Sequence, residues 1–189
     1  MTSSGGSIVI VGIGNILLRD DGVGVEVVRE IKRRAGRGDL ELPAGATLVD
    51  GGTLGLTLLP LLAGARAIVL VDAAVRGRQP GAVEVVRGEA LVAPAAGGGQ
   101  GEEVAVGRGG LGELLAAARL AEADPAAIVL VGIQPAEIAV GLELTADVRR
   151  AVPAAIEIIL NEVRRMAALP PATRNAPVYR RRDPAECAA

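Results

Sequence analysis

Gly12-Ile13-Gly14-Asn15-Ile16-Leu17-Leu18-Arg19-Asp20-Asp21-Gly22-Val23-Gly24 joins an apolar strand to an amphipathic helix through a loop that carries two adjacent carboxylates. The run before it, Ser7 to Val11, is short, β-branched and apolar, as a strand buried on both faces must be. After it, Val23, Val27, Val28 and Ile31 recur at helical spacing beside Glu26, Arg29, Glu30 and Lys32 to Arg34, so the helix has an apolar stripe and a wet face. The loop between them therefore lies at the carboxyl end of a strand, where ligands bind in open α/β sheets.

Working outward, a second strand covers roughly Ala46 to Val49 and ends in Asp50-Gly51-Gly52-Thr53, followed by the helical pattern Leu54, Leu58, Leu59, Leu62. A third strand, Ala67 to Val71, ends in Asp72 and runs into a turn through Arg76-Gly77-Arg78-Gln79-Pro80-Gly81. Ala82 to Arg87 alternates as a half-exposed edge strand does, and the tight turn before it favours antiparallel pairing with its predecessor. A glycine-rich loop, Ala93 to Gly101, leads to a helix around Leu111 to Ala121. A fifth strand from Ala127 to Gly132 and a long helix from about Ala146 to Ala168, with Thr145 at its N-cap, complete the pattern. Alternating strands and helices predict a single α/β domain over residues 7–168. Its form is a three-layer sandwich with a twisted, five-stranded, mostly parallel sheet and helices on both faces. Residues 1–6 read as a flexible leader, and residues 169–189, with Arg180 to Arg182 and Cys187, as a disordered tail.

Residue counts exclude whole classes of chemistry. There is no histidine, Lys32 is the only lysine, Cys187 the only cysteine, and serine occurs only at positions 3, 4 and 7. Serine or cysteine triads and Cys/His zinc sites cannot be built from these residues, and a lysine Schiff base is not expected because Lys32 sits on the polar face of the first helix, so carboxylates are expected to carry any catalysis. A dinucleotide fingerprint fails because its third glycine would fall at Leu17, and no phosphate-binding Gly-Lys-Ser/Thr occurs. A formal net charge of -2 and 1% aromatic residues argue against nucleic-acid binding. Without a basic leader or a long apolar run, membrane insertion and export are not expected, and the chain reads as cytoplasmic.

The block from Gly12 to Gly24, Asp50-Gly-Gly-Thr, the strand-end Asp72, Leu130-Val-Gly-Ile-Gln-Pro-Ala-Glu-Ile and Gly141-Leu-Glu-Leu-Thr occur in one order, from about Ile8 to Val163. Together they resemble the hydrogenase maturation protease family, endopeptidases that remove a C-terminal extension from the large-subunit precursor of nickel-iron hydrogenases once the metal centre is in place. The resemblance implies a site made from an acidic residue in the first loop, an aspartate after the third strand and a histidine before the third helix. Asp21 and Asp72 match the first two positions and are implied to be both catalytic and metal-contacting. Gly107 stands where the histidine would be, and Glu102 or Glu103 is an alternative donor. Asp50, Gly52 and Thr53 are implied to contact substrate, although an Asp-Gly pair is also a turn signal in its own right.

A carboxylate in a strand-to-helix loop can also cap the helix, and we assign that role to Asp20 and the site to Asp21. Asp72 alternatively pairs with an arginine, since an unpaired buried carboxylate is costly. Nickel favours nitrogen and sulfur donors, so two carboxylates alone predict weak nickel binding by the isolated protein. The metal is then expected to arrive in the precursor, the expected partner. Two functions stay open: a processing endopeptidase, and a non-catalytic homologue that acts as a precursor-binding checkpoint or chaperone.

Overall fold

The computed structural model describes residues 7–53, 55–88 and 127–169, together with Leu114, Ala117, Ala118 and Leu120. Ile8–Ile13 forms β1, buried at every residue; a 3-10 turn at Arg19–Gly22 then leads into α1, Val23–Arg37. Next come β2 (Ala46–Gly52), a 3-10 turn at Gly55–Leu58, α2 (Leu59–Gly64), β3 (Ala67–Ala73), β4 (Val83–Arg87), β5 (Ala127–Ile133) and α3 (Ala146–Ala168). The sheet order is β2-β1-β3-β5-β4, with β4 antiparallel to β5 and the other pairs parallel.

Strand alternation divides the core into two layers. Ile8, Ile10, Val69 and Val71 pack with Val23, Val27, Val28 and Ile31 of α1 and with Val148, Ile156, Ile159 and Val163 of α3. Val9, Val11, Ile68 and Leu70 pack on the opposite face with Leu58, Leu62, Leu114 and Ala118. The predicted sandwich with helices on both faces is therefore the fold. The apolar stripe of α1 is the expected one, and the helix stops at Gly38, whose left-handed φ of 78° suits glycine.

Three expectations need correction. The strands run further than their apolar cores suggest, so Asp50 lies inside β2 and Asp72 inside β3 rather than beyond them. β4 is an antiparallel edge strand, yet its partner is β5 and not its predecessor β3. The turn that precedes β4 is held by the buried amide of Gln134, whose Oε1 accepts the N–H groups of Arg76 at 2.7 Å and Arg78 at 3.2 Å. Asp20 caps nothing: neither the 3-10 turn nor α1 has a side-chain cap. Thr145 does occupy the N-cap position of α3, but its hydroxyl donates to Asp20 instead of capping. The leader, Leu54, the loop at 93–101, most of the helix expected at 111–121, and the tail after residue 169 lie outside the described residues.

Candidate functional site

The strand order reverses between β1 and β3, and in an open α/β sheet the crevice at that reversal, beyond the carboxyl ends of the strands, is where ligands bind. Glycines bring the chemistry there. A Cβ on Gly24 would lie 2.1 Å from the Val71 carbonyl oxygen and 2.4 Å from that of Ile13, so the first turn of α1 sits directly on β1 and β3. One on Gly12 would lie 2.2 Å from the Gly24 carbonyl oxygen. This close approach places the Arg19–Gly22 turn, and with it Asp21, over the strand end that carries Asp72. Gly14, at φ 127°, lets the loop fold back so tightly that a Cβ there would be 1.8 Å from the Asp21 carbonyl oxygen.

Asp21 and Asp72 line one cleft of about 380 Å³, together with Asn15, Gly52, Thr53 and Ile138. Asp21 Oδ2 accepts the Asn15 N–H at 2.8 Å. Asp72 is 3% exposed; its Oδ1 accepts the Ala73 N–H at 2.8 Å, and its Oδ2 is buried with no hydrogen-bond partner among the described residues. Among the described residues no arginine pairs with Asp72, so the alternative role as half of an ion pair is not seen there. Burial pushes the Asp72 carboxyl up to about 7, against the pull of the Ala73 N–H, and the charge of Asp21 adds to the rise. A carboxyl in that range can both take and give a proton near neutral pH.

Gly52 and Thr53 lie in the same cleft, as the substrate-contact expectation requires, but Asp50 does not line it. Its carboxylate is half exposed and accepts from Arg29 Nε at 3.1 Å, in an adjoining groove of about 270 Å³ that shares Gly14, Asn15, Gly52 and Thr53 with the cleft. Among the described residues no group of three His, Cys, Asp or Glu side chains is placed to hold a metal ion. Glu102, Glu103 and Gly107 lie outside those residues.

Asp20 is fully buried and accepts four hydrogen bonds: from the N–H groups of Ala136 at 2.9 Å, Glu137 at 3.0 Å and Thr145 at 2.7 Å, and from the Thr145 hydroxyl at 2.8 Å. Burial alone would raise its pKa, but the donors from Thr145, Glu137 and Ala136 outweigh it and hold the carboxyl below the usual range. Sequence reasoning missed this arrangement and the place of Ile138 in the cleft. The partners are 116 to 125 residues from Asp20, and no local spacing marks them.

An open α/β sheet with two carboxylates lining one cleft at its switch point, one with a buried oxygen unpartnered among the described residues, defines an α/β protein with a candidate carboxylate site at its carboxyl edge. A family model for hydrogenase maturation proteases matches residues 25–162. The chain is 36% identical over 138 residues to the hydrogenase expression/formation protein HupM of Azotobacter chroococcum, an alignment spanning 73% of this chain and 62% of that relative. It is 30% identical to the hydrogenase 2 maturation protease of Escherichia coli, covering 83% of this chain and 90% of the relative. The solved structure of the E. coli hydrogenase maturating endopeptidase HybD superposes with a TM-score of 0.70 at 28% identity, covering 84% of this chain and 93% of that one. The chain belongs to the hydrogenase maturation protease family.

Proposed function

We propose that this protein is an endopeptidase that removes the C-terminal extension of a nickel-iron hydrogenase large-subunit precursor after nickel insertion. The observation that carries this reading is the convergence of Asp21 and Asp72 in one cleft, with Asp72 Oδ2 unpartnered among the described residues. An unsatisfied buried carboxylate oxygen is destabilising, so it calls for a partner such as a ligand, an ion or a water. Here the ligand is nickel that the precursor already holds through its own thiolates. Two carboxylates and no imidazole are a poor nickel site by themselves, but one or two oxygen donors suffice to test for a metal that arrives with the substrate.

In the reaction a water attacks the scissile carbonyl carbon, and the C–N bond breaks. The substrate-borne metal polarises the carbonyl or the water. Asp72 accepts the proton that the water loses and returns it to the departing amide nitrogen, while Asp21, fixed by the Asn15 N–H, orients the metal-bearing segment. Gly52 and Thr53 form the wall along which the precursor chain lies, with Asp50 in the adjoining groove. The protein works in the cytoplasm on a protein substrate; neither nucleic acid nor membrane insertion has a part. No helix among the described residues is long and apolar enough to cross a membrane.

A second reading, a precursor-binding checkpoint without catalysis, is favoured by one observation: the chain has no histidine at all. Incubation with nickel-loaded and metal-free precursor separates the two, read as a mobility shift of the large subunit on a gel. The endopeptidase shortens the loaded precursor alone. A checkpoint protein captures the loaded precursor and leaves its length unchanged.

A further inference from the structure

The segment between β5 and α3 has little apolar anchoring of its own. Across positions 136–145 no residue is fully buried, Val140 and Leu142 are 90% and 75% exposed, and Leu144, near the far end, packs half-buried against the core. The rest of its path is fixed chiefly by polar contacts to the first loop: Arg19 N–H donates to the Gly141 carbonyl at 2.9 Å, Gly141 N–H to the Leu17 carbonyl at 2.9 Å, and Asp20 N–H to the Glu137 carbonyl at 3.4 Å. The four bonds received by the Asp20 carboxylate are added to these, at both ends of the segment, since Ala136 and Glu137 open it and Thr145 closes it.

We propose that Asp20 is a positioning residue, whose carboxylate clasps segment 136–145 at both ends and so sets Ile138 as a wall of the cleft beside Asp21. The proposal rests on the endopeptidase reading of that cleft. Aspartate is the residue type this place requires. Four donors converge, and only an ionised carboxylate offers enough acceptor sites without bringing a donor of its own. Glutamate would carry the same charge on a longer stem, and asparagine would turn an NH2 toward backbone N–H groups. Asp20 and Asp21 also share one 3-10 turn, so whatever moves the clasp moves the backbone of the cleft carboxylate. Asp21 of that turn and Ile138 of the wall line the same cleft, so in the endopeptidase reading the clasp is a determinant of substrate capture.

The test uses Asp20→Asn, Thr145→Val and Thr145→Ser in the full chain, with initial rates measured on nickel-loaded precursor at several concentrations. Thr145→Val removes the hydroxyl donor and keeps the backbone one. It should raise KM roughly tenfold or more, the loss expected for one hydrogen bond to a charged group, with kcat little changed. Thr145→Ser should restore the KM. Asp20→Asn should raise KM further; if that variant does not fold, the threonine pair decides alone. A wild-type KM for Thr145→Val, or a fall in kcat that tracks the folded fraction at unchanged KM, overturns the clasp and leaves Asp20 merely structural. Asp72→Asn run alongside keeps the two readings apart. If it processes precursor normally, the cleft is not the active site, whereas a dead Asp72→Asn beside an unaffected Thr145→Val defeats only the positioning role.

Discussion

Asp20 and Asp72 are both buried carboxylates at the same edge of the sheet, yet four donors converge on the first and a single backbone N–H meets the second. The difference sets what each can do. Asp20 is held ionised by its donors, whereas Asp72, pushed up to about 7 from an ordinary 3.8, has one oxygen without a partner among the described residues. That displacement also makes stability depend on pH. A group whose folded pKa lies above its unfolded one is ionised more readily in the unfolded chain, so its contribution is fully present below about 4 and is lost as pH rises to about 7. Asp72→Asn removes this loss. Urea unfolding should find the variant and the parent alike near pH 4. At pH 7 the variant should be the more stable, by at most roughly 4 kcal/mol, because the amide is still a buried polar group. Equal stability across the whole range would show that Asp72 is not desolvated as described.

At the scale of elements, the site depends on how closely α1 approaches the sheet. Gly24→Ala would drive a methyl into the Val71 and Ile13 carbonyls, which are backbone atoms that cannot turn aside. It should cost about 3 kcal/mol or more in chemical denaturation and lower precursor processing in the fraction that stays folded, by separating Asp21 from Asp72. Gln134→Ala is the contrasting case. It strips the N–H groups of Arg76 and Arg78 of their acceptor and should cost on the order of 2 kcal/mol, while processing by the folded protein is unchanged, because the Arg76–Gly81 turn does not line the cleft. Elements of this kind were legible in the sequence to different depths. Runs such as Ile8-Val9-Ile10-Val11 and Ala67 to Val71 announce strands buried on both faces, and the Val23 to Ile31 stripe announces the helix that covers them. That β5 separates β4 from β3 is not written locally, because pairing is decided by which strands arrive at the sheet later in the chain. Asp21 and Asp72 were singled out by the resemblance, at the ends of an apolar strand and of the loop after one, and the structure brings both to one cleft. The role of Asp20 was not legible: beside a helix start, a clasp on residues more than a hundred positions away looks the same as a cap.

For the molecule as a whole, the chain has no histidine and brings two carboxylates into one cleft at the switch point, a donor set that by itself suits nickel poorly. Titration calorimetry of the isolated protein should show weak nickel binding, weakened further in Asp21→Asn. Tight binding would mean that further donors join the pair. The central claim is that these two carboxylates form the active site of a processing endopeptidase. It is tested most directly by incubating nickel-loaded precursor with the parent protein, Asp21→Asn and Asp72→Asn, each confirmed as folded by circular dichroism, and following the large subunit on a gel. The account predicts a shortened large subunit with the parent and none with either variant, since each loses a charged oxygen donor at nearly constant volume. Shortening at the parental rate by both variants would contradict it.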